Sequence, residues 1–216
     1  MSRKRVAVLI SGRGSNMAAL IEAAKDKNYP AEIVLVISNV PDAAGLLRAR
    51  EAGIATEVVD HASFGKDRAA FECALQTMLA KHKIEIVCLA GFMRLLTANF
   101  VDKWPQRLLN IHPALLPAFK GLDTHRRAIE AGAKIHGATV HFVVPEMDSG
   151  PTIIQGAVKV QPGDGEATLA KRVLAVEHRI YPQALKLVAE ARVRVADGRC
   201  FIDGVPVPDR AALAPS

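Results

Sequence analysis

Three short runs in this 216-residue chain combine residue types that could do chemistry. The first is Gly12-Arg13-Gly14-Ser15-Asn16, between a β-branched run and a helical pattern. Glycines let the backbone turn tightly and approach a ligand closely. A helix start offers unpaired N–H groups and the positive end of its dipole, which is a seat for phosphate. Ser15 and Asn16 can add side-chain donors. The run serves equally well as a tight turn whose Ser or Asn caps the helix. It is not a dinucleotide fingerprint: Met17 stands where a third glycine belongs, and the second strand ends at Asn39 rather than at an acidic residue. It also lacks the Gly-Lys-Ser or Gly-Lys-Thr of a Walker loop. One phosphate of a monophosphate ligand fits it better.

The second run is Asn110-Ile111-His112-Pro113, at the carboxyl end of an expected central strand, where open α/β sheets receive ligands. Alternation points Asn110 and His112 to the same side. An amide donor beside an imidazole suits a developing oxyanion, although a lone histidine is more often structural or on the surface. The third run, Glu146-Met147-Asp148-Ser149-Gly150-Pro151, is good turn chemistry. An aspartate near His112 would also favour the imidazolium form. His136 and His141 are expected on opposite faces of a strand, and no carboxylate or cysteine joins them, so no metal site is expected. No Gly-x-Ser-x-Gly elbow supports serine chemistry.

The elements that must position these runs alternate. Arg5–Ile10, Ile33–Ile37, Glu57–Val59, Ile84–Leu89 and Leu108–Ile111 read as strands. Asn16–Lys25, Ala43–Glu51 and Asp67–Lys81 read as helices between them. The β-α-β-α order predicts a doubly wound α/β domain with a mostly parallel sheet. After about residue 115 the pattern changes. A helix is predicted over Asp123–Ala131, then an antiparallel pair, Ala138–Val144 with Thr152–Val160. A helix over Ala167–Ala191 should end or kink near Tyr181, because Pro182 follows. Val193–Val195 and Cys200–Ile202 flank Asp197-Gly198, a strong hairpin signal, and Ala211–Ser216 reads as a frayed tail.

Composition excludes several classes. The longest uncharged apolar run, Ile86–Met93, is eight residues, short of the roughly 20 a membrane helix needs. Val6–Ile10 is too short for a signal peptide's apolar region. The net charge is +6, but the basic residues are scattered and aromatics make up 5%, so no stacking platform for nucleic acid stands out. Attraction of small anionic substrates explains the balance equally well. Cys73, Cys88 and Cys200 are odd in number and widely spaced, which suits reduced thiols in the cytoplasm.

Several segments, taken in order, resemble the glycinamide ribonucleotide formyltransferases, folate-dependent enzymes of purine biosynthesis. They are Val8-Leu9-Ile10-Ser11-Gly12-Arg13-Gly14-Ser15-Asn16, Leu89-Ala90-Gly91-Phe92-Met93-Arg94, Leu109-Asn110-Ile111-His112-Pro113-Ala114-Leu115-Leu116-Pro117, His136-Gly137, Asp148-Ser149-Gly150-Pro151 and Glu177-His178-Arg179-Ile180-Tyr181-Pro182. The resemblance runs from residue 5 to about 205 and implies one Rossmann-like formyltransferase domain over 1–205. Residues 1–115 would be its phosphate-binding half and 116–205 its folate and catalytic half, with 206–216 a tail. It implies transfer of a formyl group from 10-formyltetrahydrofolate to an amine, without a metal. Gly14, Ser15 and Asn16 would hold the substrate phosphate, and Glu177 would help fix the substrate. Arg68, Met93, Arg94, Leu95, Leu96 and Asn110 would contact the folate, as would Val144, Pro145, Glu146, Met147 and Asp148. Asn110 and His112 would stabilise the tetrahedral intermediate, with Asp148 sustaining the charge on His112. The implied partners are small-molecule substrates, with no nucleic acid and no membrane, in a monomer or homodimer.

Two positions depart from the family pattern: Asp123, where some members have histidine, and Lys120, where proline is common. The formyltetrahydrofolate deformylases resemble the chain around Asn110 and His112 but usually carry a preceding regulatory domain, for which a first strand at Arg5 leaves no room. The methionyl-tRNA formyltransferases carry a further carboxyl-terminal domain, and about a dozen residues remain here after the last hairpin. A noncatalytic module binding nucleotide or nucleic acid is the alternative from another class, since fold alone does not exclude it.

Overall fold

Val6 through Ile10 lose all contact with solvent, so the stretch Lys4–Ile10 (β1) is a strand covered on both faces. The computed structural model describes residues 2–206 and the backbone of 212–213, in two compact units, Met1–Leu109 and Asn110–Ser216. In the first unit β1 is followed by α1 (Ser15–Ala24), β2 (Ala31–Ser38), α2 (Ala44–Glu51), β3 (Ala55–Val58), a 3-10 turn at His61–Phe64, α3 (Arg68–Lys81), β4 (Ile86–Leu89) and α4 (Ala98–Val101). β1 lies parallel between β2 and β4, and β3 is parallel to β2 on its far side. The strand order therefore turns back between β1 and β4, the position at which such sheets receive ligands at their carboxyl ends. Ser11 and Gly91 follow those two ends, and the Ser11 N–H donates to the Gly91 carbonyl at 3.1 Å.

β5 (Leu108–His112) carries the chain into the second unit, which continues with α5 (Thr124–Glu130), β6 (Ile135–Phe142), β7 (Thr152–Lys159), α6 (Glu166–Ala189), β8 (Val193–Ala196), β9 (Arg199–Ile202), β10 (Val205–Pro206) and β11 (Ala212–Leu213). β6 and β7 pair antiparallel, as their spacing predicts. β8, β9 and β10 form a separate small antiparallel sheet. Its first hairpin turns on Asp197 and Gly198, both at positive φ (51° and 72°), the geometry that Asp-Gly favours. The fold class is the expected one: a mostly parallel sheet wound with helices, plus an antiparallel extension in the C-terminal half. Among the described residues no helix is long and apolar enough to cross a membrane.

Four details differ from expectation. α6 does not stop at Tyr181 but runs through Pro182. Its buried stripe, Leu169, Val173, Val176, Ile180, Tyr181, Ala184 and Leu185, spans both sides of the proline, and packing of that stripe outweighs the roughly 3 kcal/mol of an interior proline. β6 begins at Ile135 and ends at Phe142, earlier than Ala138–Val144. The 3-10 turn and α4 are each four residues, too short to show a period. Of the expected frayed tail, Ala212–Leu213 instead pairs parallel with Gly156–Ala157 of β7, an edge whose backbone groups accept a further strand. The rest of that tail lies outside the described residues.

Candidate active site

β5 ends where Pro113 withdraws a backbone donor, leaving Asn110 and His112 at its carboxyl end. Each side chain is held by a different loop or strand. The buried His141 ring donates from Nδ1 to the Phe142 carbonyl at 2.9 Å. Burial also pushes the His141 imidazole below its ordinary range, toward the neutral form. Its Nε2 is therefore an acceptor, and Asn110 Nδ2 donates to it at 3.2 Å. This bond fixes which way the Asn110 amide points and leaves a second N–H on the same nitrogen.

His112 is 5% exposed, and both of its ring nitrogens face oxygen acceptors. Nε2 donates to the Phe119 carbonyl at 3.0 Å, and Nδ1 lies 3.4 Å from Asp148 Oδ2. The imidazolium satisfies both neighbours, whereas the neutral ring turns a lone pair toward one of them. Asp148 sits at φ 51°, a left-handed conformation that Asp tolerates better than most residues. Its Oδ2 accepts from the Gly121 N–H at 2.9 Å, and Oδ1 is 3.9 Å from His141 Nε2. With His141 neutral, that last approach is proximity rather than an ion pair. The turn bearing Asp148 folds back so tightly that a Cβ at Gly150 would lie 1.8 Å from the Phe142 carbonyl.

The loop after β5 rests on a buried polar network. The Thr139 hydroxyl, fully buried in β6, donates to the Ala114 carbonyl at 2.7 Å and accepts from the Leu116 N–H and from Gln155 Nε2, both at 3.0 Å. Gln155 Nε2 also donates to the Leu116 carbonyl at 2.8 Å. Thr139→Val keeps the shape and strands these partners, so urea unfolding is expected to show a loss of about 2 kcal/mol. A loss below about 0.5 kcal/mol would mean that the network is not holding the loop.

In the second unit, then, the structure gathers Asn110, His112 and Asp148, with Val144, Pro145, Glu146 and Met147 on the loop that bears Asp148. Glu177 is buried on α6. Gly14, Ser15, Asn16, Arg68, Met93, Arg94, Leu95 and Leu96 belong to the first unit. There Gly14 takes φ 68° as the residue before α1, and a Cβ on it would stand 3.0 Å from the Gly45 Cα. No side chain caps α1 through that position. Ser11 Oγ accepts from the Met93 N–H at 2.8 Å and donates to Asn39 Oδ1 at 2.5 Å, holding the start of the Met93–Leu96 run. Met93 and Leu95 are 69% and 58% exposed, unusual for large apolar side chains and suited to covering a flat apolar ligand. Arg94 stacks over the Phe71 ring at 5.8 Å, and Arg68 is exposed at the start of α3.

Sequence reasoning did not single out His141, Phe119 or Gly121 for the site. Alternation along β6 turns Gly137, Thr139 and His141 to one face, toward Leu115, Ala114 and Asn110, but the sequence alone does not say that this face meets Asn110. Among the described residues no group of three or more His, Cys, Asp or Glu is arranged to hold a metal.

A family model described as formyl transferase matches residues 4–185. The chain is 43% identical, over 97% of its length, to the phosphoribosylglycinamide formyltransferase of Escherichia coli K12, and covers 98% of that protein. It is 49% identical, over 90% of its length, to the human trifunctional purine biosynthetic protein adenosine-3, of which it covers 19%. It thus spans about a fifth of that larger relative. A solved phosphoribosylglycinamide formyltransferase from Coxiella burnetii superposes with a TM-score of 0.92 at 41% identity, covering 99% of this chain and 100% of that one.

Proposed function

The chain belongs to the formyl transferase family, and from that premise we infer that it moves a formyl group onto the amine of 5'-phosphoribosylglycinamide. The product is the formylated ribonucleotide of de novo purine biosynthesis, and the donor in this reading is 10-formyltetrahydrofolate. The observation that carries it is the convergence of two donors and one carboxylate: an Asn110 amide with an N–H to spare, the His112 Nδ1 edge, and Asp148 3.4 Å from it. That set suits attack by an external amine on an acyl carbon, because it offers groups for the charge on oxygen and for the proton.

In the reaction the amine's electron pair forms the new C–N bond while the carbonyl pair moves onto oxygen. The second Asn110 N–H and the His112 Nδ1–H meet that oxygen as charge builds. Asp148 orients the ring and takes part, through water, in passing the proton that the amine loses to N10 of the folate, whose bond to the formyl carbon breaks. Gly14, Ser15 and Asn16 hold the phosphate, and Glu177 fixes the substrate. Arg68, the run Met93–Leu96 and the run Val144–Asp148 contact the folate. The reading extends to a metal-independent, cytoplasmic enzyme of small-molecule substrates, acting as a monomer or homodimer. Its three free thiols suit a reducing compartment.

The test is an absorbance assay with a 10-formyl folate donor, run with and without the ribonucleotide. Loss of formyl that depends on the acceptor is the expected result, and loss without the acceptor would point to hydrolysis of the donor instead. Gly14→Ala places a Cβ against Gly45 in a conformation that disfavours it. This variant is expected to raise KM for the ribonucleotide about tenfold while leaving KM for the donor within about twofold. Equal rises in both constants would remove the phosphate assignment.

A further inference from the structure

We propose that Arg127 is a positioning residue for formyl transfer, acting on His112 through the Phe119 carbonyl; this rests on the reading of His112 given above. Phe119 has φ 55°, a conformation that a bulky aromatic residue adopts only where its surroundings force it. The forcing groups are identifiable. The Arg127 guanidinium lies over the Phe119 ring at 5.7 Å. Its Nη1 donates to the Lys120 carbonyl at 2.7 Å and to the Leu122 carbonyl at 3.2 Å. His136 meets the Phe119 ring edge-on at 5.8 Å. One short stretch of backbone, clamped in this way, reaches both members of the pair: the Phe119 carbonyl accepts from His112 Nε2, and the Gly121 N–H donates to Asp148 Oδ2.

The consequence for the chemistry is directional. An imidazole ring with one nitrogen anchored on backbone has its other nitrogen aimed. Here Nε2 is anchored at 3.0 Å, so Nδ1 keeps its place beside Asp148. If the guanidinium is lost, Phe119 can relax to negative φ, its carbonyl swings away, and the ring can turn. Arg127 is exposed, and an exposed cation–π contact adds little to stability. The clamp therefore bears on geometry at His112 far more than on the fold.

The experiment compares Arg127→Gln with Arg126→Gln, a neighbouring exposed arginine, each made in the otherwise unaltered chain and in a His112→Ala chain. Arg127→Gln is expected to lower kcat about tenfold, with KM for both substrates within about twofold, because small displacements of a reacting group are costly in rate. Its thermal midpoint should stay within about 2 °C. Exchange of the Gly121 amide should speed up about tenfold as the clamp loosens. Arg126→Gln should leave kcat unchanged. In the His112→Ala chain, Arg127→Gln should add less than about a twofold loss, since a group that acts through an absent ring has nothing to act on. Unchanged kcat in Arg127→Gln beside a disabled His112→Ala would overturn the proposal alone. So would a full tenfold loss that persists without the His112 ring. Undiminished turnover in His112→Ala would overturn it together with the catalytic reading.

Discussion

His112→Ala is expected to lower kcat by about a hundred- to a thousandfold, the usual cost of removing one donor from a developing oxyanion. KM for either substrate should move by less than about threefold, because the lost interaction is made in the transition state rather than on binding. Asn110→Ala should cost a similar factor, since it removes the other donor, which His141 aims at 3.2 Å. Asp148→Asn is the more instructive change. Its amide oxygen can still accept from the Gly121 N–H, so the turn survives, but no carboxylate remains opposite His112 Nδ1. Turnover should fall while the fold stays intact. Because the three groups serve a single oxygen and a single proton path, paired variants should lose less than the product of their separate losses. Steady-state kinetics on the three single and three double variants checks this. Turnover within about threefold of the parent in all three single variants would defeat the assignment.

Much of the frame was legible because each element announces itself locally. β1 and β4 are continuous apolar runs, the Asp197-Gly198 hairpin has the residues its turn demands, and alternation sets Asn110 and His112 on one side of β5. Other features are tertiary. Nothing in Asp148-Ser149-Gly150-Pro151 says that its carboxylate ends 3.4 Å from His112; good turn residues fit many turns, and only the family resemblance pointed there. His141 was out of reach because alternation assigns its face of β6 but not the Asn110 amide that this face meets. The left-handed Phe119 runs against its own local preference and exists because Arg127 and His136 hold it there. At Pro182 the local rule predicts a stop or a kink, and the buried stripe of α6, which spans both sides of the proline, excludes the stop. What was not legible falls where packing outvotes local propensity.

Acid is expected to destabilise the fold from near pH 6.5 downward, before any carboxylate titrates. His136 is 1% exposed and lies edge-on to His125 at 5.3 Å. Burial, and secondarily the neighbouring His125, pushes its imidazole from 6.5 down to about 4. His125, His141 and His178 are lowered in the same direction, each chiefly by burial. A histidine whose folded value lies below its unfolded value binds its proton first in the unfolded chain. Between about pH 4 and pH 6.5, therefore, the unfolded state holds more protons and stability rises with pH. The contribution is present in full above 6.5, drains away as pH falls to about 4, and has no further slope below that. For His136 alone it amounts to at most about 3 kcal/mol, and the other three histidines add to it. A second stage sets in from about pH 4.5 downward, overlapping the end of the first. There Asp164 (held low by Arg172), Glu85 (by Lys4) and Asp203 (by Arg192) lose stability that is present above their ordinary range. Urea unfolding across pH 8 to 4 measures the first stage, and His136→Gln isolates its main contributor. That variant lowers stability at pH 8 but cannot charge, so its curve should be markedly flatter between 6.5 and 4. A parental slope in His136→Gln would mean that His136 is not the group whose protonation the fold resists.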